Sequence, residues 1–443
     1  MLPPEYRLSV TTGKLMSFIT LPSPQIPVAA HAGVVVVGGG PAGVCAAIAA
    51  ARSGASTILL EKSGCLGGTW TSGSMGWIID SGGDGKGKLI GEIIQTLRER
   101  NGLIFSKDGA PAFNVEAMKV LLDELCSTAG VQVRLYTQLS DVLKDSDGKI
   151  SAVITESKSG REAWQGDVFI DCTGDGDLGA LAGNPFEIGH PESKLMQPMT
   201  LLALLTGLDP DKIRPYLAGE DTWSASADRF SALLSHDDYQ PSYKGLALFH
   251  LGNGLFMPMA NHQYGVSGIN ADDLTRATMA ARKEISHQIN ILRTRGPEWA
   301  NVNLASTGSH IGVREGRRLT GRTKITLEDV VNGRRQPDPV CRVRFIIDIH
   351  ALTPNKDNKV EKTPKTADFF EIPLRALMSV NVPNLLMAGR CISGDFYAHA
   401  SYRVTGNAAA TGEAAGILAA LSARKQTLPP QIAYQDFAEA AKL

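Results

Sequence analysis

"VVVVGGGPAGVCAAIAAARSGASTILLEK", residues 34–62, is the stretch whose reading decides the fold. Val34 to Val37 form a continuous apolar run, as expected of a strand buried on both faces. Residues 42–51 are mostly small and predict a helix that can approach a sheet closely. Gly54 ends that helix. Thr57 to Leu60 predict a second strand, and Glu61 stands at its end. Gly38, Gly40 and Gly43 spell G-x-G-x-x-G. Gly38 permits the tight turn, Gly40 lets backbone approach a pyrophosphate, and Gly43 allows close helix–strand packing. The helix N-terminus offers N–H groups and positive dipole to phosphates. Glu61 lies 18 residues after Gly43, near the spacing of about 20 at which a carboxylate meets ribose hydroxyls. In this complete context the segment predicts dinucleotide binding. A plain βαβ unit without ligand is the weaker reading.

The rest of the composition bounds the answer. A chain of 443 residues is too long for one compact core, so two connected domains are expected. Formal charge is −1. No global field recruits nucleic acid or an anionic membrane, although a small anionic substrate would need only a local basic patch. Six cysteines occur without a C-x-x-C pair or zinc spacing. They read as scattered thiols of a reducing cytoplasm, and no metal is expected. No apolar run reaches the ~20 residues that span a bilayer. The first 33 residues carry Pro3, Pro4, Pro22, Pro24 and Pro27, without a basic head and long apolar stretch. They read as an arm rather than a signal peptide.

FAD and NAD are separated by features beyond the opening motif. "DVFIDCTGDGDLGALAG" (167–183) is a strand that ends at Thr173, Gly174 and Asp175. "VPNLLMAGRCISG" (382–394) is another apolar strand breaking at Gly389, followed by a small-residue helix over about 406–421. An NAD domain needs no such distant return. A flavin domain does, since one segment holds the adenosine half and another meets the ribityl chain and ring.

With these residues the chain resembles the FAD-dependent oxidoreductase family of the glutathione-reductase-like flavoprotein superfamily. Fumarate reductase and succinate dehydrogenase flavoproteins are relatives. The resemblance rests on GGGPAG at 38–43, "EKSGCLGGTWTSG" at 61–73, "DCTGDGDLGALAGNPFEIG" at 171–189 and "KLMQPMTLL" at 194–202. It continues through "IGVREGRRLTG" at 311–321, "IPLRALM" at 372–378 and "NLLMAGRCISGDFYAHASYRV" at 384–404. It implies FAD as cofactor. It implies cofactor contacts at Gly38, Gly40, Pro41, Ala42 and Gly43, then at Glu61, Lys62, Gly67, Gly68 and Thr69. Further contacts are implied at Thr173, Gly174 and Asp175, and at Gly389, Arg390, Gly406 and Asn407. One departure matters. Related sequences often read Thr-Cys after the Arg-Val pair, where this chain has Asn407-Ala408, so a cysteine role there does not carry over.

The expected architecture is α/β. A Rossmann-like FAD-binding domain, its parallel sheet split between both chain ends, carries an inserted α+β cap that encloses substrate. The expected division is an arm at 1–29, FAD-binding parts at 30–185 and 372–443, and the cap at 186–371. Helices are predicted over 88–100, 114–129 and 272–295. Asn114 is the predicted N-cap and Gly130 the terminating glycine of the second. Asp147-Gly148 predicts a hairpin turn, and 342–349 a strand. "SGGDGKGK" (81–88) reads as a flexible loop, since it lacks the G-K-[ST] ending of a phosphate cradle.

Three groups are candidates for chemistry. The helix beginning near 405–407 could aim N–H groups at the flavin and stabilise its reduced charge. His399 and Arg403 precede that helix. Histidine moves protons near neutrality, and arginine holds carboxylates bidentately. His310 and Arg314 are four apart and would share a face if helical, with Arg317 and Arg318 beyond. The alternative for this cluster is a salt-bridged network joining cap to flavin domain. His250, His262 and His350 read as isolated structural or surface residues, and Asp348-x-His350 as too sparse for a metal site. No second dinucleotide domain is evident and no redox cysteine pair follows Glu61, so electrons are expected from the substrate or from a separate donor or acceptor. The leading expectation is hydride transfer between FAD and a small polar substrate. The alternatives are a flavin monooxygenase with an external reductant, and a non-redox FAD protein. An RNA role is disfavoured by the lack of a basic stripe. Nothing in the sequence sets an oligomeric state.

Overall fold

The valine run at 34–37 becomes the centre of a mainly parallel sheet in the computed structural model, which describes residues 25–105, 111–235, 239–354 and 363–442. Residues 1–24, most of the expected arm, lie outside the described residues. The opening strand Val28–Val37 lies between Thr57–Leu60 and Gly160–Asp171, parallel to both. Val34 pairs with Thr57 and Val168, and Val37 with Leu60 and Asp171. Strand Gln132–Arg134 extends one side. The distant strand Leu385–Met387 adds parallel to Phe169–Asp171 on the other. The sheet is therefore built from both chain ends. An antiparallel pair, Gln138–Lys144 and Ile150–Ser157, completes it, joined through Gly148 at φ 78°.

Two small-residue helices cover one face of this sheet. The opening helix Pro41–Arg52 and the closing helix Thr405–Lys425 are buried almost throughout. They meet backbone to backbone. A Cβ added at Gly412 would stand 2.1 Å from the Ala42 carbonyl oxygen, and one at Gly416 would stand 2.2 Å from that of Ala46. The helices Leu89–Glu99 and Val115–Thr128 belong to the same apolar core. Asn114 caps the second, its Oδ1 accepting from the backbone N–H groups of Glu116 and Ala117.

A second, antiparallel sheet runs Ala247–Gly252, Leu255–Met259, Ala203–Thr206, Asn303–Thr307. It has its own core with the helices Trp223–Leu234 and Ala271–Leu292, the latter close to the 272–295 expected. The architecture is thus the α/β class expected, a parallel sheet with a further layer inserted between its strands. Among the described residues no helix is long and apolar enough to cross a membrane.

The strand expected at 342–349 is corrected. Only Pro339–Val343 is a strand, paired with Phe370–Pro373. Beyond it the carboxylate of Asp80 accepts from the N–H of Arg344 at 3.0 Å and of Phe345 at 3.3 Å. A side chain replaces the neighbouring strand, and the segment is free to cross towards the second sheet. The region at 310–314 is also extended rather than helical. Thr200 and Gly312 exchange backbone hydrogen bonds.

The interhelical contact yields a first prediction. Gly412→Ala gains helix propensity of up to ~1 kcal/mol, but its methyl must displace the opening helix. Such overpacking costs about 1–3 kcal/mol. The unfolding midpoint in denaturant should fall, and FAD retention with it. Gly91→Ala, where an added Cβ meets nothing within 4 Å, should leave the midpoint level or raised.

Candidate active site

The carboxyl ends of the parallel strands open into a cavity of about 1320 Å³. A pocket for one small ligand holds roughly 300–1,000 Å³, so this volume has room for a dinucleotide and a second molecule. Its two ends differ chemically.

One end is glycine-rich. Gly38 turns at φ 99°, and an added Cβ there would lie 2.4 Å from the Cys172 carbonyl oxygen. A Cβ at Gly43 would strike the Gly38 carbonyl oxygen at 1.7 Å, so this glycine sets the packing of loop on helix. A Cβ at Gly40 would meet nothing within 4 Å, because Gly40 faces the open cavity. Pro41 begins the helix, and no side chain caps it. Glu61 is buried and holds the loop from below. Its two carboxylate oxygens accept from the N–H of Gly39 at 2.5 Å and of Ser63 at 2.7 Å. At the end of the neighbouring strand Asp171 accepts from Thr173 and from the N–H of Gly179, fixing the next loop, while burial pushes its carboxyl up to about 6. Asp175 pairs with Arg390 at 3.0 Å. These residues fit FAD. Gly40 and the uncapped helix would face the pyrophosphate, Glu61 and Lys62 the adenosine, and Arg390 a phosphate or the ribityl chain.

The other end is ionic. The segment after Val343 brings Phe345, Asp348 and His350 to the wall. Arg403, at the C-cap of the short helix Phe396–Tyr402, donates through Nη2 to Asp348 Oδ2 at 2.9 Å and to the Asp348 carbonyl oxygen at 3.0 Å. His350 Nε2 stands 3.2 Å from the same Oδ2. The carboxylate therefore receives both groups, which assigns the Nε2–H tautomer. His350 Nδ1 is buried with no hydrogen-bond partner among the described residues. Arg314 Nη1 donates to the Pro198 carbonyl oxygen at 2.7 Å and to Thr200 Oγ1 at 2.8 Å, so neutral groups alone meet it there. The rings of His262 and Tyr243 stack at 3.8 Å, and the His350 ring meets that of His262 at 4.8 Å.

The electrostatics follow from burial around these charges. Burial opposes ionisation of Asp348, but His350 and the guanidiniums of Arg403 and Arg314 together hold its carboxyl well below the usual range. Burial, then Arg314, pulls the His350 imidazolium down to about 4. Burial, then the neighbouring Arg403, pulls Arg314 down to about 10. At neutral pH this end holds two guanidiniums, one carboxylate and a neutral imidazole.

The cavity is lined by Gly38, Gly40, Pro41, Ala42, Glu61, Lys62, Gly68, Thr69, Thr173, Gly174, Asp175, Gly389 and Arg390, and also by His310, Arg314 and Arg403. His399, Gly43, Gly67, Gly406 and Asn407 are not among the lining residues. His399 is wholly buried, and that burial, with Arg318 and Arg403 nearby, holds its imidazole well below the usual range. A Cβ at Gly406 would lie 2.2 Å from the Asp80 carbonyl oxygen. Asn407 Oδ1 accepts from buried Lys86, which also pairs with Asp80 at 2.8 Å. The departure from Thr-Cys thus serves an internal polar network that anchors the 81–88 loop. The arginine cluster divides. Arg317 pairs with Asp177 and Arg318 with Glu315, as a cross-linking network would, whereas His310 and Arg314 face the cavity.

Asp348, His350, His262 and Tyr243 were not legible as a group. Each comes from a different turn of the chain or reads alone as a structural residue. Thr137 to Leu139, which also line the cavity, carried a usable signal. They follow a parallel strand at the carboxyl edge, where ligands of α/β sheets bind. Among the described residues no group of three or more His, Cys, Asp or Glu could hold a metal ion.

Glu61 yields a second prediction. Glu61→Ala removes two charge-assisted hydrogen bonds from the loop and any bond to ribose. One such bond is worth about 1.5–3 kcal/mol, so FAD should be retained roughly tenfold less well, or worse, by equilibrium dialysis. Unchanged retention would contradict the assignment.

Comparison with known proteins finds similar chains. Three solved structures are similar in fold. A geranylgeranyl bacteriochlorophyll reductase-like protein from Thermoplasma acidophilum is 13% identical with TM-score 0.44, the match covering 93% of this chain and 83% of that one. p-Nitrophenol 4-monooxygenase PnpA from Pseudomonas putida DLL-E4 is 11% identical with TM-score 0.47, covering 93% and 84%. L-Proline dehydrogenase from P. horikoshii is 12% identical with TM-score 0.45, covering 89% and 94%. A family model described as FAD dependent oxidoreductase matches residues 33–440, from the opening strand to the last helix. The chain belongs to the FAD-dependent oxidoreductase family, and is an oxidoreductase with FAD as its cofactor.

Proposed function

We propose that the enzyme transfers a hydride between FAD and a small anionic substrate bound at the Arg314–Arg403 end of the cavity. The surplus guanidinium there carries this reading. Arg403 is paired with Asp348 while Arg314, largely buried beside it, meets only neutral oxygens, so a substrate anion restores the balance that burial demands. Bound FAD supplies a two-electron acceptor or donor at its ring. The protein supplies position and proton handling. Arg403, fixed by Asp348, and Arg314, fixed by Thr200, orient the anion. His350 accepts the proton that leaves a substrate hydroxyl or amine once a turn of its ring brings the buried Nδ1 to the cavity that the residue lines, Asp348 holding Nε2. His399 becomes a residue that packs behind this wall, and His310 a neighbour of the cofactor, near Lys62. The division into FAD-binding parts at 30–185 and 372–443 and a cap at 186–371 belongs to the same proposal, as does kinship with fumarate reductase and succinate dehydrogenase flavoproteins.

A base at about 4 is weak. Binding of an anion offsets the guanidiniums that depress it and raises the imidazole towards neutrality. The free enzyme and the substrate complex should therefore titrate differently. In substrate-driven flavin reduction, kcat/KM should stay level from pH 8 to about 5 and fall as pH drops through about 4, where His350 gains its proton. The kcat profile should fall at a higher pH. A kcat/KM profile centred near 6.5, the ordinary value for histidine, would remove His350 as the base. Arg403→Ala should keep FAD bound and slow this step by ~10²–10³, as loss of one preorganised donor commonly does.

The hydride reading is tested against the monooxygenase reading by anaerobic stopped-flow reduction. NADH and NADPH should bleach the flavin slowly and without saturation, since the further G-x-G-x-x-G at Gly174 to Gly179 lies on the sheet and cavity already described and brings no second dinucleotide domain with it. Fast, saturable bleaching by NAD(P)H would favour the monooxygenase.

A further inference from the structure

The cationic end of the cavity adjoins a wall of opposite character. Strand residues Phe249 and Met257 pair across the second sheet, as do Ala247 and Met259. All but Ala247 reach the cavity. Trp77 packs on Phe249 with ring centroids 4.9 Å apart, and Trp223 stacks on Trp77 at 6.0 Å and 24°. The wall is thus an aromatic and thioether surface, set by period-two alternation on an antiparallel pair.

Its outer part is left in water. Trp223 is 40% exposed, and Met279, on the cavity face of the helix Ala271–Leu292, is 65% exposed. Apolar area facing solvent forgoes stabilisation in proportion to its extent. Surface of this kind rimming a site marks ligand or partner contact. The glycine loops, Glu61 and Arg390 lie on other elements, so the adenosine and pyrophosphate of FAD do not account for this wall. Methionine suits a ligand of irregular shape, because its unbranched side chain repacks readily. Arg282 shares the cavity-facing row of that helix with Met279, which puts a further positive charge at the rim.

We propose that the substrate is an anionic amphiphile. Its acidic group binds Arg314 and Arg403, and its alkyl or aryl body lies along Trp77, Met257 and Met259 towards Trp223 and Met279. This proposal rests on the anionic-substrate reading above and adds the chemistry of the part that does not react.

The test is binding, so it does not depend on turnover. FAD-loaded enzyme is titrated with straight-chain monocarboxylates from propionate to dodecanoate, below their micellar concentrations. Succinate is the polar comparison and dodecylamine the cationic one. The readouts are the visible flavin spectrum and quenching of tryptophan fluorescence. Each added methylene buried on the wall should lower Kd about three- to fourfold. Dodecanoate should bind far more tightly than succinate or dodecylamine. Met279→Asp, an exposed rim change that leaves the core intact, should flatten the dependence on chain length for the longest acids. Trp223→Ala should flatten it further. Arg314→Ala should weaken all acids by a similar factor. A Kd independent of chain length, or tighter binding of succinate, would overturn the amphiphile and leave the anion reading standing. Equal binding of dodecylamine, or of acids to wild type and Arg314→Ala, would overturn both.

Discussion

The contact on which this structure depends is the close approach of two helices from opposite ends of the chain. Gly412 and Gly416 let the closing helix lie against the carbonyl groups of Ala42 and Ala46. No larger residue fits that separation. The contact locks the late strand Leu385–Met387 beside Gly160–Asp171, and it fixes where the closing helix begins. Arg403, immediately before that helix, inherits its place from this packing. Glycine and alanine here act at a distance, by setting the position of a charge at the cavity wall.

That charge lies in a setting that makes it consequential. Burial weakens the solvation of Arg403, Arg314, Asp348 and His350 alike, so each depends on the others. Asp348 holds Arg403 and His350 with one carboxylate. Arg314 meets a carbonyl and a hydroxyl oxygen through Nη1. On the proposed reading the site receives negative charge; burial, then Arg314, keeps its histidine neutral. An anion that enters this end changes the basicity of the group beside it. In the proposed mechanism, recognition and proton transfer would be two consequences of one electrostatic arrangement. The adjoining apolar wall adds no charge and lowers local polarity, which would strengthen both.

The cofactor half was legible because its chemistry is local. Gly38, Gly40, Gly43 and Glu61 lie within one strand–turn–helix–strand unit, and each has a steric or hydrogen-bonding reason to stand at its spacing. The late return at Gly389 was legible for the same reason. The ionic end of the cavity is assembled by tertiary structure. Tyr243, His262, Arg314, His350 and Arg403 come from separate segments, and no period in the sequence links them. His350 read as isolated because the rings it meets, His262 and Tyr243, are remote in the chain. His399 read as a site residue because it lies near Arg403 in sequence, yet the short helix between them turns it into the core. The strand expected at 342–349 ended early because Asp80, more than two hundred residues upstream, supplies the carboxylate that takes its backbone N–H groups.

The central claim is that the Asp348–His350 segment, Arg314 and Arg403 form the substrate side of the flavin. A crystal structure of the FAD-loaded enzyme soaked with a monocarboxylate tests it most directly. The account predicts the flavin ring between the start of the closing helix and this cluster, with the carboxylate within about 3 Å of both guanidiniums, the reach of a direct hydrogen bond. A flavin ring separated from His350 and Arg403 by protein, with the acid bound elsewhere, would contradict it.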